Sequence, residues 1–279
     1  MEKSLKYYLS FFIGIALLFS CKKEEHPTGK TEARILAEKV FKEGAHLRQG
    51  SPKSMTRIQK AIDIDSTYDE AVRELSVAYL KRGMPHLWKK QYDKAVALNP
   101  EIWQPWRGYL YLWFYRDYKK AIADFDASDI LTPNFTDTPQ GHSVDYWRGI
   151  AYLGLKNYKK SIEYFDKNIA EDSAKYGEEF VEVTAFLYQG INYYELNDYA
   201  KAEENFNKLI KYSYGNYGDG KYYLAKIFKT KGRLKEAKLM AESALEDFKN
   251  GYVNQRPYVE SMRELYIEDY QELINALNE

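Results

Sequence analysis

The chain has 279 residues, 41 of them basic and 41 acidic, so its formal net charge is zero. That balance excludes a nucleic-acid binder working through a general basic excess, because phosphate binding needs surplus Lys and Arg. Aromatic residues make up 16% of the chain, 27 of them tyrosines, which excludes a disordered polypeptide and leaves one domain or one continuous array around a sizeable core.

The first element begins with Lys3 and Lys6 and continues as an apolar run from Tyr7 to Phe19. As a helix this run would span roughly 20 Å, short of the ~30 Å hydrocarbon core of a bilayer. A basic start, a short apolar core and a small residue before a break is the layout of a removed secretory signal rather than of a membrane anchor. The run ends at Leu17-Leu18-Phe19-Ser20-Cys21, and Cys21 is the only cysteine, so neither an internal disulfide nor a shared thiolate site can be built.

Leu18, Ser20 and Cys21 resemble the signal box of bacterial lipoproteins, with Phe19 bulkier than that family's usual residue. The resemblance implies a signal peptide over residues 1–20 and Cys21 as the mature N-terminus, carrying a diacylglycerol thioether and an N-linked acyl chain of the palmitate kind. Two or more such chains give stable anchoring. In that family an Asp after the Cys retains the protein in the inner membrane; Lys22 stands there instead, which implies the outer membrane, on either side. Lys22-Lys23-Glu24-Glu25 fits a surface-lipoprotein tag and a plain solvated tether equally well, and residues 21–30 form that tether. Removing residues 1–20 leaves 39 basic against 40 acidic residues.

From residue 31 onward a pattern repeats. Tyr118-Lys119-Lys120-Ala121 is followed by Phe125, Tyr158-Lys159-Lys160-Ser161 by Phe165, and Tyr199-Ala200-Lys201-Ala202 by Phe206; Leu234-Lys235-Glu236-Ala237 with Ala241 is a worn copy. At 3.6 residues per turn these positions fall on one helix face. A turn precedes each stripe, and another apolar helix precedes each turn, so the unit is a helical hairpin. Ala61-Ile62-Asp63-Ile64-Asp65-Ser66 is echoed 34 residues later by Ala95-Val96-Ala97-Leu98-Asn99-Pro100. A period of that length predicts a stacked solenoid.

Trp106, Tyr109, Leu110, Trp113, Ala121, Phe125 and Pro133 fill nearly every slot of the tetratricopeptide repeat (TPR), which the pattern resembles. The resemblance implies an all-α, right-handed superhelical solenoid of about six TPR-like hairpins with a C-terminal capping helix. The units fall at 35–68, 69–102, 103–135, 142–175, 183–217 and 218–251, within an array over residues 31–256. In the second unit Pro85 and Trp88 occupy unusual slots, and longer segments follow Asn134 and Asp172. Tyr258, Met262, Leu265, Tyr266, Tyr270, Leu273 and Leu277 at helical spacing predict the capping helix over 257–279.

Nothing in the sequence predicts catalysis, a metal or a cofactor. Of His26, His46, His86 and His142, only His142 lies near a candidate partner, Asp145, which is expected instead to cap or solvate a helix end. Gly215-Asn216-Tyr217-Gly218-Asp219-Gly220 lacks the preceding strand of a phosphate cradle, and Asp63-Ile64-Asp65 and Asp124-Phe125-Asp126 lack the glycine and distal Glu of a calcium loop. The expectation is a non-enzymatic binding protein.

In the resembled family the first helix of each unit lines a concave groove for partner segments. Carrying its slots over points to Arg73, Arg107, Tyr111, Phe114, Tyr146, Tyr194, Tyr222 and Lys226 as the partner-binding groove. The competing reading for each is packing in the core. The expected partner is a protein, as a peptide or helix segment; the membrane is reached through the lipid, nucleic acid is not expected, and a surface glycan stacked on groove aromatics is the alternative.

Overall fold

The computed structural model describes residues 29–279; Cys21, expected to carry the lipid, and the segment expected to be a signal peptide lie outside them. Thirteen α-helices follow in order and no strand occurs among the described residues. Twelve of them pair as six antiparallel hairpins: α1 (Glu32–Ala45) with α2 (Pro52–Ile64), α3 (Asp69–Lys81) with α4 (Pro85–Leu98), and α5 (Pro100–Leu110) with α6 (Tyr118–Leu131). Then come α7 (Val144–Gly154) with α8 (Tyr158–Tyr176), α9 (Val183–Glu195) with α10 (Tyr199–Tyr212), and α11 (Gly218–Thr230) with α12 (Leu234–Lys249). Each hairpin packs on the next, and α13 (Ile267–Asn278) covers α12 and α11.

Local chemistry explains the regularity. Between the helices of hairpins 2 to 6 one residue turns left-handed: Gly83 (φ 70°), Arg116 (52°), Lys156 (58°), Asn197 (60°) and Gly232 (74°). In hairpins 3 to 5 the next residue, Asp117, Asn157 or Asp198, caps the second helix by accepting from the backbone N–H of Lys120, Lys160 or Lys201. The repeating Tyr-Lys-Lys and Tyr-Ala-Lys strings therefore start where the chain has just reversed.

The recurrent aromatic finds its partner across the hairpin. A Cβ added at Gly108, Gly149 or Gly190 would meet the rings of Phe125, Phe165 and Phe206 at 2.7, 2.8 and 2.6 Å. Each glycine lets a phenylalanine of the second helix lie flat on the backbone of the first. Ala121, Ser161, Ala202 and Ala237 are wholly buried at the neighbouring contact. Trp88, at its unusual slot, is also wholly buried, stacked on Tyr115 at 4.7 Å, while Pro85 opens α4, where no backbone N–H is needed.

Two expectations fail in detail. Asp145 does not cap α7: Ser143 does, and Asp145 is buried and bonded by Arg148 (2.5 Å) and Lys167 (2.6 Å). The helix expected over 257–279 begins only at Ile267. Gly251–Tyr266 is irregular, with Tyr258 (φ 72°) and Arg263 (φ 59°) in left-handed conformations that a helix cannot contain. Asp269 then accepts from the Tyr266 backbone N–H at 2.7 Å and starts α13.

Candidate functional site: the inner face and its strap

The irregular segment 251–266 is a strap that runs out and back along the first helices of the hairpins. Its anchor is at α11: Gly218 N–H donates to the Tyr252 carbonyl (2.7 Å), and the Asn254 N–H donates to Asp219 Oδ2 (2.9 Å). The buried Asn254 amide reaches α9, donating to Tyr188 Oη at 3.0 Å. Arg256 crosses to α5 and α7. Its Nη2 donates to Tyr109 Oη (2.7 Å), and its guanidinium carbon lies 3.9 Å from the Trp113 ring centre and 5.5 Å from that of Trp147. Aromatic faces attract a cation in this position.

At Tyr258 the strap reverses. On the return Arg116 donates to the Glu260 carbonyl, Ser261 Oγ donates to the Asn254 carbonyl (2.8 Å), and Arg263 pairs with Glu195 of α9 (3.3 Å). Met262 is buried between the limbs and the helices. The strap thus spans hairpins 6 to 3, hydrogen-bonded or ion-paired at hairpins 6, 5 and 3 and in cation–ring contact with Trp147 of hairpin 4.

Burial sets the electrostatics. It raises the carboxyl of Asp219 from 3.8 to about 6, against the weaker lowering by the Asn254 N–H, and raises Tyr188 to about 12. His142, stacked on Tyr146 at 4.8 Å, is lowered by burial.

Beyond the strap's tip the inner face opens. A cleft of about 450 Å³ lies between hairpins 2 and 3 and the tip, lined among others by Arg73, Trp106, Phe114, Arg256 and Tyr258. A second, of about 540 Å³, continues past Tyr258 to Arg48, Lys81 and Arg82. A third, of about 400 Å³, sits under the two long inter-hairpin segments and includes Phe135, Asn168, Asp172, Tyr176 and Glu182. Among the described residues no cluster of His, Cys, Asp and Glu could hold a metal.

The eight residues expected to form the groove divide three ways. Arg73 and Phe114 line the first cleft. Tyr194, Tyr222 and Lys226 are half-buried together beside α13, with Lys226 Nζ 5.4 and 5.3 Å from the two rings and Tyr222 against Tyr270 at 5.4 Å. The other three are corrected. Tyr111 (6% exposed) packs edge-on against Trp88, and Tyr146 (3%) against Trp147 and Phe165, so neither presents a face to a ligand. Arg107 is spent on a two-pronged bond to Asp124 (2.8 and 2.7 Å) and one to Asp93 (2.9 Å), tying α5 to α6 and α4.

Residues to which the sequence assigned no place in the groove define the inner face: Tyr109, Trp113 and Trp147 as a box, Arg256 within it, Asp219 and Asn254 as the anchor. The signal available in sequence was Gly251 and Pro257, breaker residues that stand just before the C-terminal stripe.

Residues 146–173 and 184–216, the fourth and fifth hairpins, each match a tetratricopeptide-repeat family model. No curated protein matches the sequence significantly. Among solved structures, PilW, described as a widely conserved type IV pilus biogenesis factor, superimposes with a TM-score of 0.63 at 14% identity, over 88% of this chain and 100% of that one. PilF of Pseudomonas aeruginosa gives 0.61 at 19%, with the same coverage. A tetratricopeptide repeat protein of Parabacteroides merdae gives 0.51 at 16%, over 92% of this chain and 88% of that one. At these identities the likeness shows the fold: the chain is a helical solenoid of the TPR kind.

Proposed function

We propose that the chain is a lipid-tethered scaffold of the bacterial cell envelope that holds a segment of a protein partner against its inner face. The observation that carries the reading is the open cleft of about 450 Å³ at hairpins 2 and 3, beside the strap's tip. A TPR-type solenoid offers its inner face for partner segments, and here most of that face is closed by the chain's own strap. The remaining opening has an aromatic and cationic lining suited to a peptide hot spot. Arg73 and Phe114 are its contact residues, with Tyr194, Tyr222 and Lys226 as a secondary surface near α13. Glycan stacking on the groove gains no support, because Tyr111 and Tyr146 have no free ring faces.

The tether rests on Leu18, Ser20 and Cys21. No helix among the described residues is long and apolar enough to cross a membrane. The protein then reaches the membrane through the lipid on Cys21, with the outer membrane as its destination.

The test of the partner is a photo-crosslinking amino acid placed at Phe114 in cells. The expected result is a discrete crosslinked polypeptide that is absent when the label sits at Lys235, an exposed residue on α12. A Phe114 label yielding only the uncrosslinked chain would contradict the scaffold. The tether is tested separately by feeding labelled fatty acid, which Cys21→Ser should no longer incorporate; equal label in both forms would contradict it.

A further inference from the structure

Two clefts meet at the tip of the strap, sharing Gln49, Lys81 and Tyr258. Five cations line them: Arg48, Arg73, Lys81, Arg82 and Arg256. No aspartate or glutamate lines either one. Only Arg73 has a carboxylate within ion-pair distance among the described residues, Glu74 at 2.6 Å. Arg82 donates to the Gly50 carbonyl (2.7 Å), and Lys81 sits over the Tyr258 ring at 4.9 Å. In a chain whose charges balance overall, this is a local field of one sign.

A second observation is independent of the charge count. The Nε atoms of Arg73 and Arg256 are both buried and have no hydrogen-bond partner. Buried donors are ordinarily satisfied. Both arginines line the first cleft, one from α3 and one from the strap. The same cleft is lined by the apolar side chains of Val77, Trp106, Leu110 and Phe114.

We propose that the paired clefts form one binding site for an acidic, extended peptide segment that alternates carboxylates with apolar side chains, and that the strap completes this site by contributing Arg256 and Tyr258. The inference rests on the scaffold reading and specifies its ligand. Carboxylates match the planar fork of arginine and the point charge of lysine. The apolar floor rewards a peptide over a bare anion. The strap is then part of the receptor: it closes hairpins 3 to 6 and ends where the partner begins.

The test pans a display library of random twelve-residue peptides against the immobilised full-length chain. The sequences recovered should be enriched in Asp and Glu, and the affinity of the best peptide should fall as salt rises. Arg48→Glu combined with Lys81→Glu, both exposed residues, should lower that affinity at least tenfold. Lys235→Glu, on the exposed side of α12, should leave it unchanged. Should the double variant melt early, Lys81→Gln alone carries the same comparison, with a several-fold loss expected. Neutral or basic peptides, or equal affinity in the cleft and control variants, would overturn the inference while leaving the scaffold intact. Displacement of the peptide by micromolar inorganic phosphate would also overturn it, assigning the cations to a phosphate site. Recovery of no peptide at all would instead contradict the scaffold reading.

Discussion

Asp219 shows how much a single residue can carry in this structure. Its carboxylate is 2% exposed and anchors the strap through the Asn254 N–H, yet no cation pairs with it among the described residues. Burial raises it from 3.8 to about 6, with Glu264 adding a small like-charge push. A folded-state value above the unfolded one means that ionisation opposes folding. The cost is fully present above about pH 6 and disappears as the pH falls towards 4, on the order of 3 kcal/mol in all. Asp219→Asn keeps the acceptor oxygen and removes the charge. Urea melts should find the variant more stable than the parent at pH 7.5, by up to about 3 kcal/mol, and the gap should close by pH 4. Gly190 is a second such residue. A Cβ there would lie 2.6 Å from Phe206, whose ring is wholly buried and cannot retreat. Gly190→Ala should therefore destabilise by about 1–3 kcal/mol through overpacking, read as a lowered thermal midpoint.

Elements were legible in sequence to the extent that they repeat. The tyrosine, small-residue and phenylalanine stripe of α6, α8 and α10 recurs because the same ring meets the same glycine in each hairpin, and that contact is local enough to leave a periodic trace. The caps Asp117, Asn157 and Asp198 mark the turns for the same reason. The strap left no such trace. Tyr258, Met262, Leu265 and Tyr266 fall at helical spacing, but Met262 is buried against the inner face while Tyr258 and Tyr266 stay exposed. Their spacing is a coincidence of a non-repeating segment whose partners lie far away in the chain, Tyr109 and Arg116 among them. The groove residues failed for a related reason: slots carried over from an open array assume an open inner face. Tyr111 lies in a π-helical turn (Tyr111–Tyr115) at the end of α5, and Tyr146 stands beside a strap-bound tryptophan; both turn inward. Arg73 and Phe114, beside the strap's tip rather than under it, stay half-exposed and line the open cleft.

At the scale of the whole molecule the protein is a solenoid that occupies most of its own groove and leaves one end of it open. The closed part is fixed by a run of contacts from Asp219 through Tyr188 and Trp113; the open part is bounded by cations and aromatics at hairpins 1 to 3. If the strap lay elsewhere, the inner face would be a continuous groove and the cleft beside Phe114 would have no second wall. The most direct measurement is therefore the position of the strap's tip in solution. In a Cys21→Ser background, Lys81→Cys and Tyr258→Cys should be joined rapidly by a short bismaleimide within one monomer, because Lys81 Nζ lies 4.9 Å from the Tyr258 ring. The same reagent should join Lys235→Cys and Tyr258→Cys slowly or not at all. Equal rates for the two pairs, or no intramolecular product from 81 and 258, would contradict the strapped inner face.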